Sequence, residues 1–179
     1  MAYTFSQNGF QFLQAREGVE LTAYNKDGVW TIGYGNTFYE NGIPVKKGDK
    51  ITQARAESLF KVVALQFSKQ VSNLITASLT QSQFDALVSL AYNIGISNFR
   101  KSTLLKLVNK NPKDSAIRKE FLKWIYSQGK VLQGLINRRK LEADLYFSAG
   151  GAISTTPATT AGIGGFLFFS IVLGTILYK

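Results

Sequence analysis

The apolar positions change their spacing near residue 50, and that change divides the chain into a β-containing region and a helical one. Behind Ser6, Phe10, Leu13 and Phe12 fall at helical spacing, and the serine hydroxyl suits an N-cap. The pattern predicts a helix to about Glu17, stopped by Gly18 as a C′ glycine. Residues 22–24 and 30–34 then read as short strands around the turn Asn25-Lys26-Asp27-Gly28. Asn41-Gly42, Pro44 and Gly48-Asp49 mark further turns.

Helical periods take over from Thr52, which caps a long pattern reaching about Leu74. Thr80 caps the next, over 81–93, with Phe84, Leu87, Val88 and Ala91 on one face and Gly95 as its stop. Ser102 opens a short helix. Pro112 suits the first turn of another, running through Trp124. A last helix runs from about Gln133 to Phe147. The expected fold class is α+β, a small β hairpin lobe beside a predominantly helical lobe with a cleft between them. The small, polar run SAGGAISTTPATT over 148–160 reads as a flexible linker. From Ala161 to Tyr178 no charge interrupts the chain, enough apolar length, only just, for a single transmembrane helix. The expected organisation is a domain over 1–147, the linker, and a membrane anchor over 161–179. The N-terminus carries no basic head followed by a long apolar run, so no signal peptide is expected.

Composition narrows the chemistry. There is no Cys and no His among the 179 residues. Disulfides, thiol nucleophiles, thiolate metal sites and a Ser-His-Asp triad are thereby excluded, and no metal or cofactor is expected. Acid–base work falls to Asp, Glu, Lys and Tyr, which makes carboxylate chemistry on a sugar polymer the leading enzymatic option. The net charge of +10 sits almost wholly before residue 149 and calls for a polyanionic partner. Charge alone would also admit nucleic acid, but no binding motif supports it, so no nucleic acid is expected.

The stretch REGVELTAYNKDGVWTIGYGNT concentrates the candidate chemistry. Glu17, at the expected end of a helix, faces the negative end of the helix dipole. That field and partial burial both favour its protonated form, as a general acid requires. Asp27 lies in the turn, where Asp-Gly is also a favoured pair for purely structural reasons. Gly33 and Gly35 straddle Tyr34, where either a close ligand approach or a bulge would use them.

This stretch resembles the catalytic segment of the phage-type lysozymes, glycoside hydrolase family 24. LTQSQFDALVSLAYNIGISNFRKSTLL (Leu79 to Leu105) is similar to the family's central helical segment, and EFLKWIYSQGKVLQGLINRRKLEADLYF (Glu120 to Phe147) to its C-terminal one. The resemblance covers roughly residues 5 to 147. It implies a lysozyme-like α+β fold and cleavage of the β-1,4 bond between N-acetylmuramic acid and N-acetylglucosamine in peptidoglycan. The family pattern is a Glu, an Asp nine positions later and a Thr six after that. Glu17 matches the Glu as general acid, and Thr31 matches the Thr within TIGYG. The acid between them departs: Lys26 stands nine positions after Glu17, and Asp27 follows one position late. A one-residue deletion in the turn, with Asp27 as the second carboxylate, accounts for this. Tyr34, Gly35, Asn36 and Arg138 are the substrate-binding candidates, with Asn36 standing where many relatives carry His. Solvation is the default for Arg138 and Arg139, and whichever reaches the cleft would pair with Glu17.

Two further functions stay open on the same fold: a lytic transglycosylase, which needs Glu17 but no second acid, and a non-catalytic wall-binding protein of a virion. The partners expected are peptidoglycan and, through 161–179, a lipid membrane. That membrane would be the internal membrane of a virion, serving entry, or the host inner membrane, serving lysis.

Overall fold

The computed structural model describes residues 3–26 and 28–148. The expectations for Asp27, for most of the linker and for the anchor over 161–179 lie outside them. Among the described residues, no helix is long and apolar enough to cross a membrane.

Helix α1 (Gln7–Gln14) opens at Ser6, whose hydroxyl accepts the Gly9 N–H at 2.9 Å. Phe12 and Leu13 are buried, and Phe10 packs against the same core half-buried. The helix ends earlier than its sequence pattern predicts. Ala15 is the C-cap, and the Arg16 and Glu17 N–H groups bond back to the Leu13 and Gln14 carbonyls at 3.0 and 3.2 Å. These short-range bonds tighten the chain out of the α-helix, so Glu17 follows the helix and Gly18 does not terminate it.

Strand β1 (Glu20–Lys26) pairs antiparallel with β2 (Val29–Gly33). Lys26 faces Val29, so the turn occupies two positions rather than the four expected, and Asn25 and Lys26 belong to the strand. Gly28 takes φ +86°, the conformation such a hairpin needs. β2 also stops one residue short of the expected Tyr34. Ile32 and Asn36 exchange both backbone bonds at 2.9 Å around Gly33 and Gly35, whose φ values are +62° and +89°. The glycines therefore serve a tight reversal.

The helical lobe follows its caps closely. Thr52 caps α2 (Gln53–Ser72), and Thr80 with Gln83 forms a full capping box on α3 (Gln81–Ile94), closed by Gly95 at φ +84°. Ser102 caps α5 (Thr103–Lys110) as expected, after a short α4 (Ile96–Lys101) that the sequence pattern does not reveal. Pro112 lies in a turn ahead of α6 (Ala116–Phe121), which starts later and ends sooner than predicted. Asn111 and Asp114 side chains accept nearby backbone N–H groups there, offering the chain a turn instead of a helix. A small hairpin of β3 (Tyr126–Ser127) and β4 (Lys130–Val131) leads into α7 (Gln133–Tyr146).

Helix α3 is the centre of the lobe. It packs against α1, α2, α4 and α7, and every residue from Phe84 to Tyr92 is buried. The core gathers Phe5, Leu13, Phe60, Phe67, Phe84, Leu87, Leu90, Phe99, Leu104 and Phe121 around it. Burial on this scale, at about 25 cal/mol per Å² of apolar surface, provides most of the drive to fold.

Candidate active site

Glu17 leaves α1 on a tight turn and lies where the hairpin lobe meets the helical lobe. Its side chain is only 11% exposed, with Oε1 2.8 Å from Nη1 of Arg138. The two groups are in ionic contact, although no N–H of Arg138 is aligned on Oε1 as a linear hydrogen bond. Arg138 is thus the arginine that reaches Glu17. It does so from α7, where Leu135, Arg138, Glu142 and Leu145 share the inward stripe.

The charges continue inward. Arg138 donates from Nε to Glu142 Oε1 at 3.1 Å, and Nη1 of Arg139 lies 3.0 Å from Glu142 Oε2. From α3, the Ser89 hydroxyl donates to Glu142 Oε1 at 2.7 Å, and Asn93 Oδ1 accepts from Arg139 Nη2 at 2.6 Å. Glu142 and Arg139 are fully buried. Sequence reasoning misses Glu142, Ser89 and Asn93, and gives solvation as the default for Arg139, which is buried instead. The available signal was charge at positions 138, 139 and 142 of a helix whose apolar stripe passes through Leu135 and Leu145.

Burial raises the pKa of Glu17 above the ordinary carboxylate range; the Arg138 charge and contact oppose this without reversing it. For Arg138, burial disfavours the charge, but Glu17 and Glu142 outweigh it and leave the pKa raised. Burial brings Arg139 down to about 10, with Glu142 as the main opposing influence. Arg16 is likewise lowered to about 10 by burial, its guanidinium 3.3 Å from the centre of the Phe12 ring. The arrangement can hold a proton on a carboxyl group at a semi-enclosed surface, beside a fixed cation that accommodates the carboxylate once the proton leaves.

Thr31 is 1% exposed and lies midway along β2 opposite Tyr24. Its hydroxyl donates to the Val29 carbonyl at 3.4 Å. Strand alternation puts Lys26 on the Thr31 face, because Lys26 faces Val29 and Tyr24 faces Thr31. Asp27 lies outside the described residues. The ring of Tyr34 is a core group, 5% exposed and packed on Phe60 at 5.0 Å. Its hydroxyl accepts from Gln14 and Gln53, and its carbonyl accepts from the Tyr92 hydroxyl. The ring of Tyr34 thus serves the packing. Asn36 is 2% exposed, with Oδ1 lacking a hydrogen-bond donor, and Gly35 shapes the reversal before it. The structure therefore brings Glu17 and Arg138 together, and puts Tyr34 and Asn36 into the packing beneath the hairpin. Among the described residues, no cluster of acidic side chains is set to hold a metal ion.

Known proteins are similar to this chain in sequence and fold. The phage lysozyme family model matches residues 14–142. The endolysin of Bacillus phage PZA is 39% identical over 146 residues, covering 80% of this chain and 55% of that one. The chain thus spans about half the length of that relative. The endolysin of Salmonella phage P22 is 38% identical over 145 residues, covering 80% of this chain and 97% of its own. Among solved structures, the endolysin from Escherichia coli O157:H7 phage FAHEc1 superposes with a TM-score of 0.74 at 37% identity. It covers 82% of this chain and 95% of that one. With the family model matched over residues 14–142 and a lysozyme-like fold shared with these relatives, the chain belongs to the phage lysozyme family.

Proposed function

We propose that this chain is a muramidase of glycoside hydrolase family 24, cleaving the β-1,4 bond between N-acetylmuramic acid and N-acetylglucosamine in peptidoglycan. The observation that carries the reading is Glu17, a nearly buried carboxyl group with raised proton affinity, in contact with Arg138. Glu17 protonates the departing glycosidic oxygen, and Arg138 stabilises the carboxylate that remains. Asp27 is the second carboxylate, stabilising the oxocarbenium-like transition state or activating water, and Thr31 helps to position that water. Gly35 and Asn36 shape the wall of the cleft. The apolar segment 161–179 anchors the enzyme in a membrane, either the internal membrane of a virion or the host inner membrane.

A lytic transglycosylase is the second reading. It is favoured by Lys26, a cation on the Thr31 face at the family's Asp position by count from Glu17. Mass spectrometry of fragments released from purified peptidoglycan by the full chain tests both, with Glu17→Gln as control. Reducing muramic acid ends, lost in the control, are expected. Anhydro-muramic ends would establish the transglycosylase, and no release from folded protein would leave a wall-binding role.

A further inference from the structure

Building on Glu17 as the proton donor, we propose that Glu142 is a positioning residue that binds both α7 arginines, fixes Arg138 against Glu17 and cancels one of their two positive charges. The geometry gives it that place. Glu142 touches Arg138 through one carboxylate oxygen and Arg139 through the other, at 3.1 and 3.0 Å. Ser89 anchors the first oxygen from α3 at 2.7 Å. One guanidinium, that of Arg138, then spans both carboxylates, with Nη1 at Glu17 and Nε at Glu142. No solvent reaches Glu142 or Arg139 to screen their charges.

Counting charges shows what this does. Two guanidiniums and one carboxylate present a single net positive charge to Glu17. Without Glu142 the site would present two, and the proton would leave Glu17 at a lower pH. The other groups facing Glu17 do not replace it. From α3, the Tyr92 hydroxyl donates to the Tyr34 carbonyl, and burial holds it in its protonated form. Arg16, the preceding residue, turns back onto Phe12 and is a cation. Glu142 is therefore the anionic counterweight, among the described residues, that lets a buried arginine sit against a general acid without stripping its proton.

The test is a carbon-13 titration of the glutamate carboxyl groups in the full chain, with the Glu17 signal assigned by its loss in Glu17→Gln. This readout works whether or not the protein releases peptidoglycan, so failure of the muramidase reading stays separate from failure of this one. In Glu142→Gln the Glu17 midpoint is expected to fall by about one pH unit. Any alkaline limb of the activity profile moves down with it. In Arg139→Gln the midpoint is expected to rise. The double variant restores the wild-type charge balance and the wild-type midpoint, and removes a buried pair together, which proteins tolerate better than losing one partner. If Glu142→Gln does not fold, Arg139→Gln and the double variant decide the matter. Folded variants whose Glu17 midpoints all equal the wild type would overturn the proposal, since a purely structural Glu142 would change stability and leave that midpoint unmoved.

Discussion

At Glu17 the stability of the fold and the proposed function depend on the same proton. Its raised pKa means that the folded chain binds this proton more tightly than the unfolded chain does. The stability it contributes is complete below the ordinary glutamate value and is lost as pH rises through the folded value. With Glu17 as the proposed general acid, activity would run the same way, because that role requires the protonated form. Glu17→Gln is therefore expected to abolish turnover while leaving the melting temperature at pH 7 equal to or above wild type. Near pH 3 the two melting curves should coincide. Calorimetry at both pH values checks this, and a clear loss of stability at pH 7 would mean that the Arg138 contact outweighs burial. Arg138 has Glu142 in reserve, which is why losing Glu17 does not strand it. Arg138→Lys removes the guanidinium that spans both carboxylates, since a lysine offers one compact charge. Its expected result is a fall in kcat of about tenfold or more with KM little changed, measured on a soluble chitin-like or muropeptide substrate.

The junction of α1 with α3 shows how a single small residue fixes two helices. A methyl group on Gly9 would come within 2.7 Å of Asp85 Cγ and 2.5 Å of the Phe5 ring. Asp85 accepts from the Ser6 N–H at 3.1 Å, from the Ser6 hydroxyl and from Gln81 at 2.9 Å, so it holds the N-terminus of α1 onto α3. In an isolated helix Gly9→Ala would gain about 1 kcal/mol of propensity. Here overpacking costs about 1–3 kcal/mol, so the variant is expected to melt a few degrees below wild type, which thermal denaturation checks directly. The same elements show what a sequence makes legible. Ser6, Thr52, Thr80 and Ser102 announced their helices because an N-cap is a local bond between a side chain and its own first turn. Helix α4 and the β3–β4 hairpin were not legible. The six residues of α4 are too few to be stable without the packing of Phe99, and Gln128 adopts φ +49°, which its side chain does not advertise. The contact between Glu17 and Arg138 was half legible: Glu17 sits in an ordered motif, and Arg138 was one of two arginines expected to pair with it. Glu142 was invisible because charge on a helix is ordinarily solvated, and only the fold turns this face inward against Ser89 and Asn93.

The balance of charge inside this molecule leaves its excess outside. Arg138 and Arg139 are enclosed with Glu142, which offsets one of their two charges, whereas Lys46, Lys47 and Lys50, Arg100 and Lys101, and Lys106 and Lys110 are all exposed. Exposed charge acts over about a Debye length, ~10 Å at 0.1 M salt and ~3 Å at 1 M. The described domain should therefore meet anionic surfaces by a route that salt weakens. The apolar segment from Ala161 to Tyr178 is different in kind, since burying hydrocarbon does not depend on ionic strength. The two contributions separate on vesicles of purely zwitterionic lipid in about 0.5 M salt, where exposed lysines have little to bind and little reach. Under those conditions the full chain is expected to float with the vesicles, and a chain ending at Ser148 is expected to stay behind. On anionic vesicles at low salt both should bind, the shorter one reversibly as salt is raised. If the full chain also stays behind on zwitterionic vesicles, the segment over 161–179 is no anchor. Binding to anionic membranes would then rest on the basic surface alone.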